Sequence, residues 1–338
     1  MKFIRLIDII IRLFVLSLIF FSFAKYFMWT ETPEVRYRKY YSRMHSMIFA
    51  QTGDIDIAAM GSSRAQTMFG AHYWAKELYG DNKENHVVYN LSTSQRGKGF
   101  HYTVIRDLLK YRKVNKVYLH VIDSDQKKYI HPWFYLVSTH KDIWKSYRLD
   151  TGRSFHLRTQ EHLQVFLKKH SSILEDKLKN RLALATSNPK KPKMAVTMDH
   201  LKANDISPKN IKLMGKNVKW NDLYTKGFEW DLDTKIEVRN TKFIHEIVKL
   251  SNENGASVDF FYVPQLYKPL MSEEMVETIE QRFGGVMMQP PKHRLREFYP
   301  AAYADAGHGS EVGRGIFAEL VVDALVQRWE EENESSEK

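Results

Sequence analysis

The sequence predicts an α/β domain, with three α/β/α layers built on a mostly parallel sheet, carried behind a single transmembrane helix. Three observations predict it. Short apolar runs of strand length alternate with helical patterns along much of the chain. The runs are rich in β-branched and aromatic residues and are bounded by turn signals, as buried strands are. The opening residues hold an apolar stretch long enough to cross a bilayer as a helix.

Composition narrows the function classes. With 338 residues, 43% of them hydrophobic and 27% charged, the chain is neither a multispan membrane protein nor a disordered one. The absence of cysteine excludes a disulfide scaffold, thiolate metal sites and a cysteine nucleophile. A net charge of +11, from 51 Lys+Arg against 40 Asp+Glu, favours anionic neighbours such as a membrane surface or an acidic polymer. The basic residues form no recognisable nucleic-acid module and there is no phosphate loop, so nucleic acid is not an expected partner.

Residues 1–29 read as a signal anchor. The stretch 9–28 is almost wholly apolar, Arg12 stands near its inner end where its side chain can snorkel, and Tyr26 and Trp29 suit an aromatic belt. A cleaved signal peptide is the alternative, since Ser22 and Ala24 form a small-x-small pattern; the large Phe23 and the aromatic run beyond disfavour cleavage. Lys2, Arg5 and Arg12 on the short leading side favour an inside N-terminus with the bulk of the chain outside the cell membrane.

Residues 30–52, polar, aromatic and basic, are expected to form a juxtamembrane helix or stalk. The domain proper is placed at 53–329. Its strand runs are 54–60, 86–91, 116–122 and 257–263, and its clearest helical patterns are 102–111 and 241–254, the latter closed by Gly255 as a C-cap. Between about 130 and 233 the alternation lapses, and this region is expected to be a basic insertion packed beside the sheet. Its run 188–193, with Lys190, Lys191 and Lys193, reads first as a solvated loop and second as a polyanion-binding surface. The acidic tail 330–338 is expected to be disordered.

Two motifs carry the chemistry. Met60-Gly61-Ser62-Ser63-Arg64 closes the first strand, so its serines lie at the C-terminal edge of the sheet where open α/β folds bind ligands. Near the other end, Asp305-Ala306-Gly307-His308 precedes an apolar-periodic helix, and puts a carboxylate and an imidazole on one turn. Either motif alone is also a plausible helix start. Together, at opposite ends of a serial α/β chain, they point to a serine nucleophile with its base. His120, Asp123, Asp125 and His131 lack metal-site spacing and read as a strand-end polar cluster, so neither a metal nor another cofactor is expected.

This order and spacing resembles the SGNH/GDSL hydrolase superfamily over roughly residues 54–123 and 241–329. The resemblance implies a flavodoxin-like three-layer fold, Ser63 as nucleophile, and His308 and Asp305 as its base and orienting acid. It also implies an oxyanion hole from the amides of Ser63 and Ser92, the latter standing where the family has glycine. Ser62 replaces the usual Asp, and the family's Gly-x-Asn block is replaced by Val121-Ile122-Asp123-Ser124-Asp125. With the anchor and with Tyr262-Val263-Pro264 closing a late strand, the pattern is similar to the membrane-anchored branch that includes the alginate O-acetylation and D-alanyl-lipoteichoic acid biosynthesis proteins. That branch implies O-acyl transfer or ester hydrolysis on a cell-envelope polysaccharide, beside a membrane-bound O-acyltransferase. Arg64 and Arg96, next to the two turns, are weaker candidates for binding a substrate anion. The competing expectation is an inactive scaffold of the same fold that binds an envelope polymer or a membrane partner.

Overall fold

The computed structural model describes residue 17 and residues 32–93, 97–121, 134–150, 154–185, 238–266, 268–299, 301–304 and 308–336. Apart from residue 17 the expected anchor lies outside these residues, and among the described residues no helix is long and apolar enough to cross a membrane.

From residue 32 the described chain forms helices α1 (Pro33–Tyr40) and α2 (Ser42–His45) and a π-helical turn Ser46–Ala50. This segment, expected to be a juxtamembrane helix or stalk, is helical and packs against the domain. Tyr37, Tyr41, Met44 and Ile48 recur at helical spacing and are buried in the main core. Arg112 holds the segment further through the carbonyls of Met47, Thr52 and Gly53. Its charged residues supply solubility while one apolar face supplies the attachment.

Strand β1 (Ile55–Met60) is followed by α3 (Ser63–Met68), α4 (Ala71–Tyr79) and β2 (Val88–Asn90); then come α5 (Lys98–Tyr111) and β3 (Val114–Val121). A helical region follows, with α6 (Phe134–Val137), α7 (His140–Leu149) and α8 (Phe155–Ala185). The series resumes with α9 (Val238–Glu253), β4 (Ser257–Tyr262), α10 (Glu273–Phe283) and β5 (Met287–Met288), and ends with α11 (Leu295–Phe298) and α12 (Glu311–Ser336), whose last turns make residues 330–336 of the tail helical instead of disordered. The described part of the expected insertion is thus helical, while its basic run 188–193 lies outside the described residues. Gly255 closes α9 at φ +77°, the left-handed conformation that a C-cap glycine supplies.

All five strands are parallel, in the order β2-β1-β3-β4-β5. The chain steps one way from β1 to β2 and the other way in every later crossover. Right-handed crossovers therefore put α3 and α4 on one face and α5, α9 and α10 on the other. The packing agrees: α4 meets α12, and α5 meets α9. Helices on both faces explain why β1, β3 and β4 are buried along nearly their whole length instead of alternately. The step reversal lies between β1 and β3, the position where open α/β sheets form their ligand crevice.

The β5 edge is closed by side chains. Gln289 hydrogen-bonds both the N–H and the C=O of Met271, and the N–H of Met287 donates to Glu280, which Arg328 of α12 grips with two hydrogen bonds. An occupied edge cannot recruit another strand. Glu280→Ala is therefore expected to cost about 1–2 kcal/mol in urea unfolding and to raise light scattering with protein concentration. Unchanged scattering would exclude this protective role.

Candidate active site

The turn after β1 is built on a close approach. A Cβ at Gly61 would stand 2.5 Å from the Cβ atoms of both Ala65 and His120, so only glycine lets β1 pass this point beside β3. Ser62 then takes an extended backbone as the N-cap of α3, and Ser63 is the first helical residue. Thr67, one turn on, donates its hydroxyl to the carbonyl of Ser63 at 3.0 Å. Gly61→Ala is expected to destabilise the fold by about 1–3 kcal/mol, read as a lower urea midpoint; an unaltered midpoint would contradict the close approach.

The second half of the site comes from the chain before α12. Tyr303 and Gly309 form an antiparallel bridge, the N–H of Ala304 bonds the carbonyl of His308 at 2.9 Å, and the Tyr303 hydroxyl donates to Pro264 O at 2.5 Å. Thr67 pins this turn to α3: its hydroxyl accepts from the Gly309 N–H at 3.0 Å, and its carbonyl accepts from Arg314 Nε at 2.8 Å. The Ser310 hydroxyl accepts from the Gly313 N–H at 2.9 Å and so caps α12.

These two scaffolds bring His308 Nε2 to 3.1 Å from Ser63 Oγ, across 245 residues of chain. That is hydrogen-bond distance for a nucleophile and its base. The serine is nearly buried and the histidine is half-buried. Asp305, the expected orienting acid, lies outside the described residues, as do Arg96, Asp123, Asp125 and His131.

The expected oxyanion donors fare differently. As the first residue of α3, Ser63 has an amide with no carbonyl to bond within its own helix. The Ser92 amide is committed elsewhere: it donates to Asn90 Oδ1 at 2.9 Å, while Asn90 Nδ2 donates to the Phe69 carbonyl at 2.6 Å. Asn90 thus spans the ends of β2 and α3 and uses the N–H that the sequence assigned to an oxyanion. Arg64 is also turned inward, 6% exposed, with Nη1 on the carbonyl of Val263 at 3.1 Å. That bond ties it to the residue after β4.

Behind the serines stands a buried polar group that the motifs did not reveal. Both ring nitrogens of His120 face backbone donors: Val263 N–H lies 3.4 Å from Nε2 and Ser62 N–H lies 3.5 Å from Nδ1, with the Ser62 hydroxyl at 3.3 Å from Nδ1. An imidazolium would set its own N–H groups against these amides. Burial first, and then the positive charges of Arg64 and Lys98, hold this histidine well below its ordinary titration range. Lys98 is completely buried at the start of α5, with Nζ 2.5 Å from the carbonyl of His120. The one available signal was His120 itself, a polar residue in an otherwise apolar strand run; nothing in the sequence marked Lys98.

His120 stays neutral in the fold but would gain a proton in the unfolded chain below about pH 6.5. The unfolded state then binds more protons, so this residue's contribution to stability is lost as pH falls. Between pH 7.5 and 5.5 the wild type should lose about 1 kcal/mol more than His120→Gln in urea unfolding. Parallel pH profiles would refute the buried neutral state.

Among the described residues one cluster has metal-ligand composition, Asp150, Glu161 and His162. Both His162 nitrogens are already used, by the carbonyl of Arg158 at 2.8 Å and the hydroxyl of Ser146 at 3.3 Å. It is a hydrogen-bonded junction between α7 and α8. In comparisons with known proteins, the chain matches no family model and no curated sequence.

Proposed function

We propose that this chain is a membrane-anchored serine acyl-transfer enzyme of the SGNH/GDSL hydrolase type, with a flavodoxin-like domain held outside the cell membrane. It acts as an O-acyltransferase or acylesterase on a cell-envelope polysaccharide. The observation that carries the reading is the 3.1 Å approach of His308 Nε2 to Ser63 Oγ at the C-terminal edge of β1, beside the point where the strand order reverses.

The chemistry follows from those positions. His308 Nε2 takes the proton of Ser63 Oγ as that oxygen attacks an acyl carbonyl, and Asp305 holds the opposite side of the imidazole. The Ser63 amide donates to the oxygen that becomes negative. The imidazolium returns its proton to the leaving oxygen, and an acyl-serine remains. A sugar hydroxyl or a water, deprotonated by the same histidine, then takes the acyl group, and the imidazolium returns that proton to Ser63 Oγ as the serine ester bond breaks. A membrane-bound O-acyltransferase beside the anchor would supply the acyl group.

The occupied Ser92 amide favours a second reading, a scaffold of the same fold that binds the polymer or the acyltransferase without turning over. The two separate cleanly. Under the enzymatic reading, a fluorophosphonate labels the wild type, Ser63→Ala abolishes labelling, and His308→Ala slows it by at least about 100-fold. Undiminished labelling of Ser63→Ala would rule out this serine. If Ser63→Ala, Asp305→Ala and His308→Ala each left polymer O-acylation in cells intact, the scaffold reading would stand instead.

A further inference from the structure

Helix α7 turns an unusual face to solvent. Its inner side buries Ile143 and Ser146, and its outer side carries Lys141, Trp144, Lys145 and Arg148 at helical spacing. With Leu149, and Glu246 of α9, these residues line a cleft of about 420 Å³. Trp144 is 62% exposed beside these cations.

The ring is nonetheless held in place. It stacks on Tyr147 with centroids 5.4 Å apart and 12° between the planes, and the guanidinium of Arg158 lies 4.4 Å from the centre of the Tyr147 ring. The helix beneath is fixed too, by the Thr139–Asp142 capping box and by the ion pair of Asp142 with Arg106 of α5. The cations differ in their commitments. Lys145 is paired with Glu246 and bonded to the hydroxyl of Tyr102 at 3.0 Å. Lys141 and Arg148 have no hydrogen-bond or ion-pair partner among the described residues.

A prearranged aromatic plane with two unspent positive charges in a concave cleft suits a sugar ring that carries acidic groups. The ring's axial C–H bonds pack on the indole, and its carboxylates meet the cations. We propose that the α7 cleft binds an anionic polysaccharide, with Trp144 as the stacking platform and Lys141 and Arg148 as its charge partners. The inference extends the proposed function, because it names the acidity of the polymer and the helix that docks it. Lys145 reaches Tyr102 near the start of α5, the helix that enters from the sheet edge where Ser63 stands.

The test is binding of the full chain to polygalacturonate, to dextran of similar length, and to phosphatidylglycerol–phosphatidylcholine vesicles. Polygalacturonate should bind at least about tenfold tighter than dextran, and less tightly as salt rises. Trp144→Ala should weaken it by about tenfold or more, with Trp144→Phe recovering most of the loss. The double variant Lys141→Ala/Arg148→Ala should weaken it similarly and flatten the salt dependence. Ser63→Ala should bind like wild type, which separates this outcome from any failure of the catalytic reading. The proposal is overturned if the wild type shows no preference for the polyuronate, or if the variants bind undiminished with wild-type circular dichroism. Trp144-dependent binding to vesicles without binding to the polymer overturns it as well and assigns the face to lipid.

Discussion

At Gly61 the chain leaves β1 with so little room that the Cβ atoms of Ala65 and His120 would both stand 2.5 Å from an added methyl group. Adjacent parallel strands leave space for side chains above and below the sheet but little along its plane. The missing side chain lets the His120 ring slide under the turn, where it meets the Ser62 amide and the Val263 amide. Ser62 then takes the N-cap position of α3 with its hydroxyl on His120, and Ser63 begins the helix with its hydroxyl toward the turn before α12. Every later feature of the site inherits its position from that contact.

The polar group beneath the turn is costly by ordinary accounting. A buried lysine, a buried arginine and a buried neutral histidine each give up hydration, and well-packed apolar residues would serve stability as well. Their bonds run to the carbonyls of His120 and Val263, the residues that end β3 and follow β4. The arrangement ties the C-terminal ends of three strands together and leaves the crevice with positive charge behind it, a field that favours anions at the sheet edge.

Much of this was legible in the sequence, for identifiable reasons. Four strands could be read because parallel burial on both faces leaves continuous apolar runs, whereas β5 has only Met287 and Met288 and no periodicity to detect. The Ser63–His308 pairing was legible because each residue sits in a short motif beside a regular element. The fate of the Ser92 amide was not, since it depends on which way the Asn90 side chain turns once α3 is in place. The packed segment at Tyr37, Tyr41, Met44 and Ile48 was readable in principle from its helical spacing, but its charge density drew the reading toward a stalk. Lys98 shows the limit most plainly: a lysine at a helix start is ordinarily solvated, and only the assembled fold encloses it.

The 245-residue separation between Ser63 and His308 also bears on when the two side chains can meet. Closing so long a loop carries an entropic cost that no local contact can offset, so the pair assembles only after the intervening strands have paired. A partly folded chain would carry an ordinary serine hydroxyl at residue 63 with no imidazole in reach. Under the proposed function, reactivity would therefore wait on completed folding.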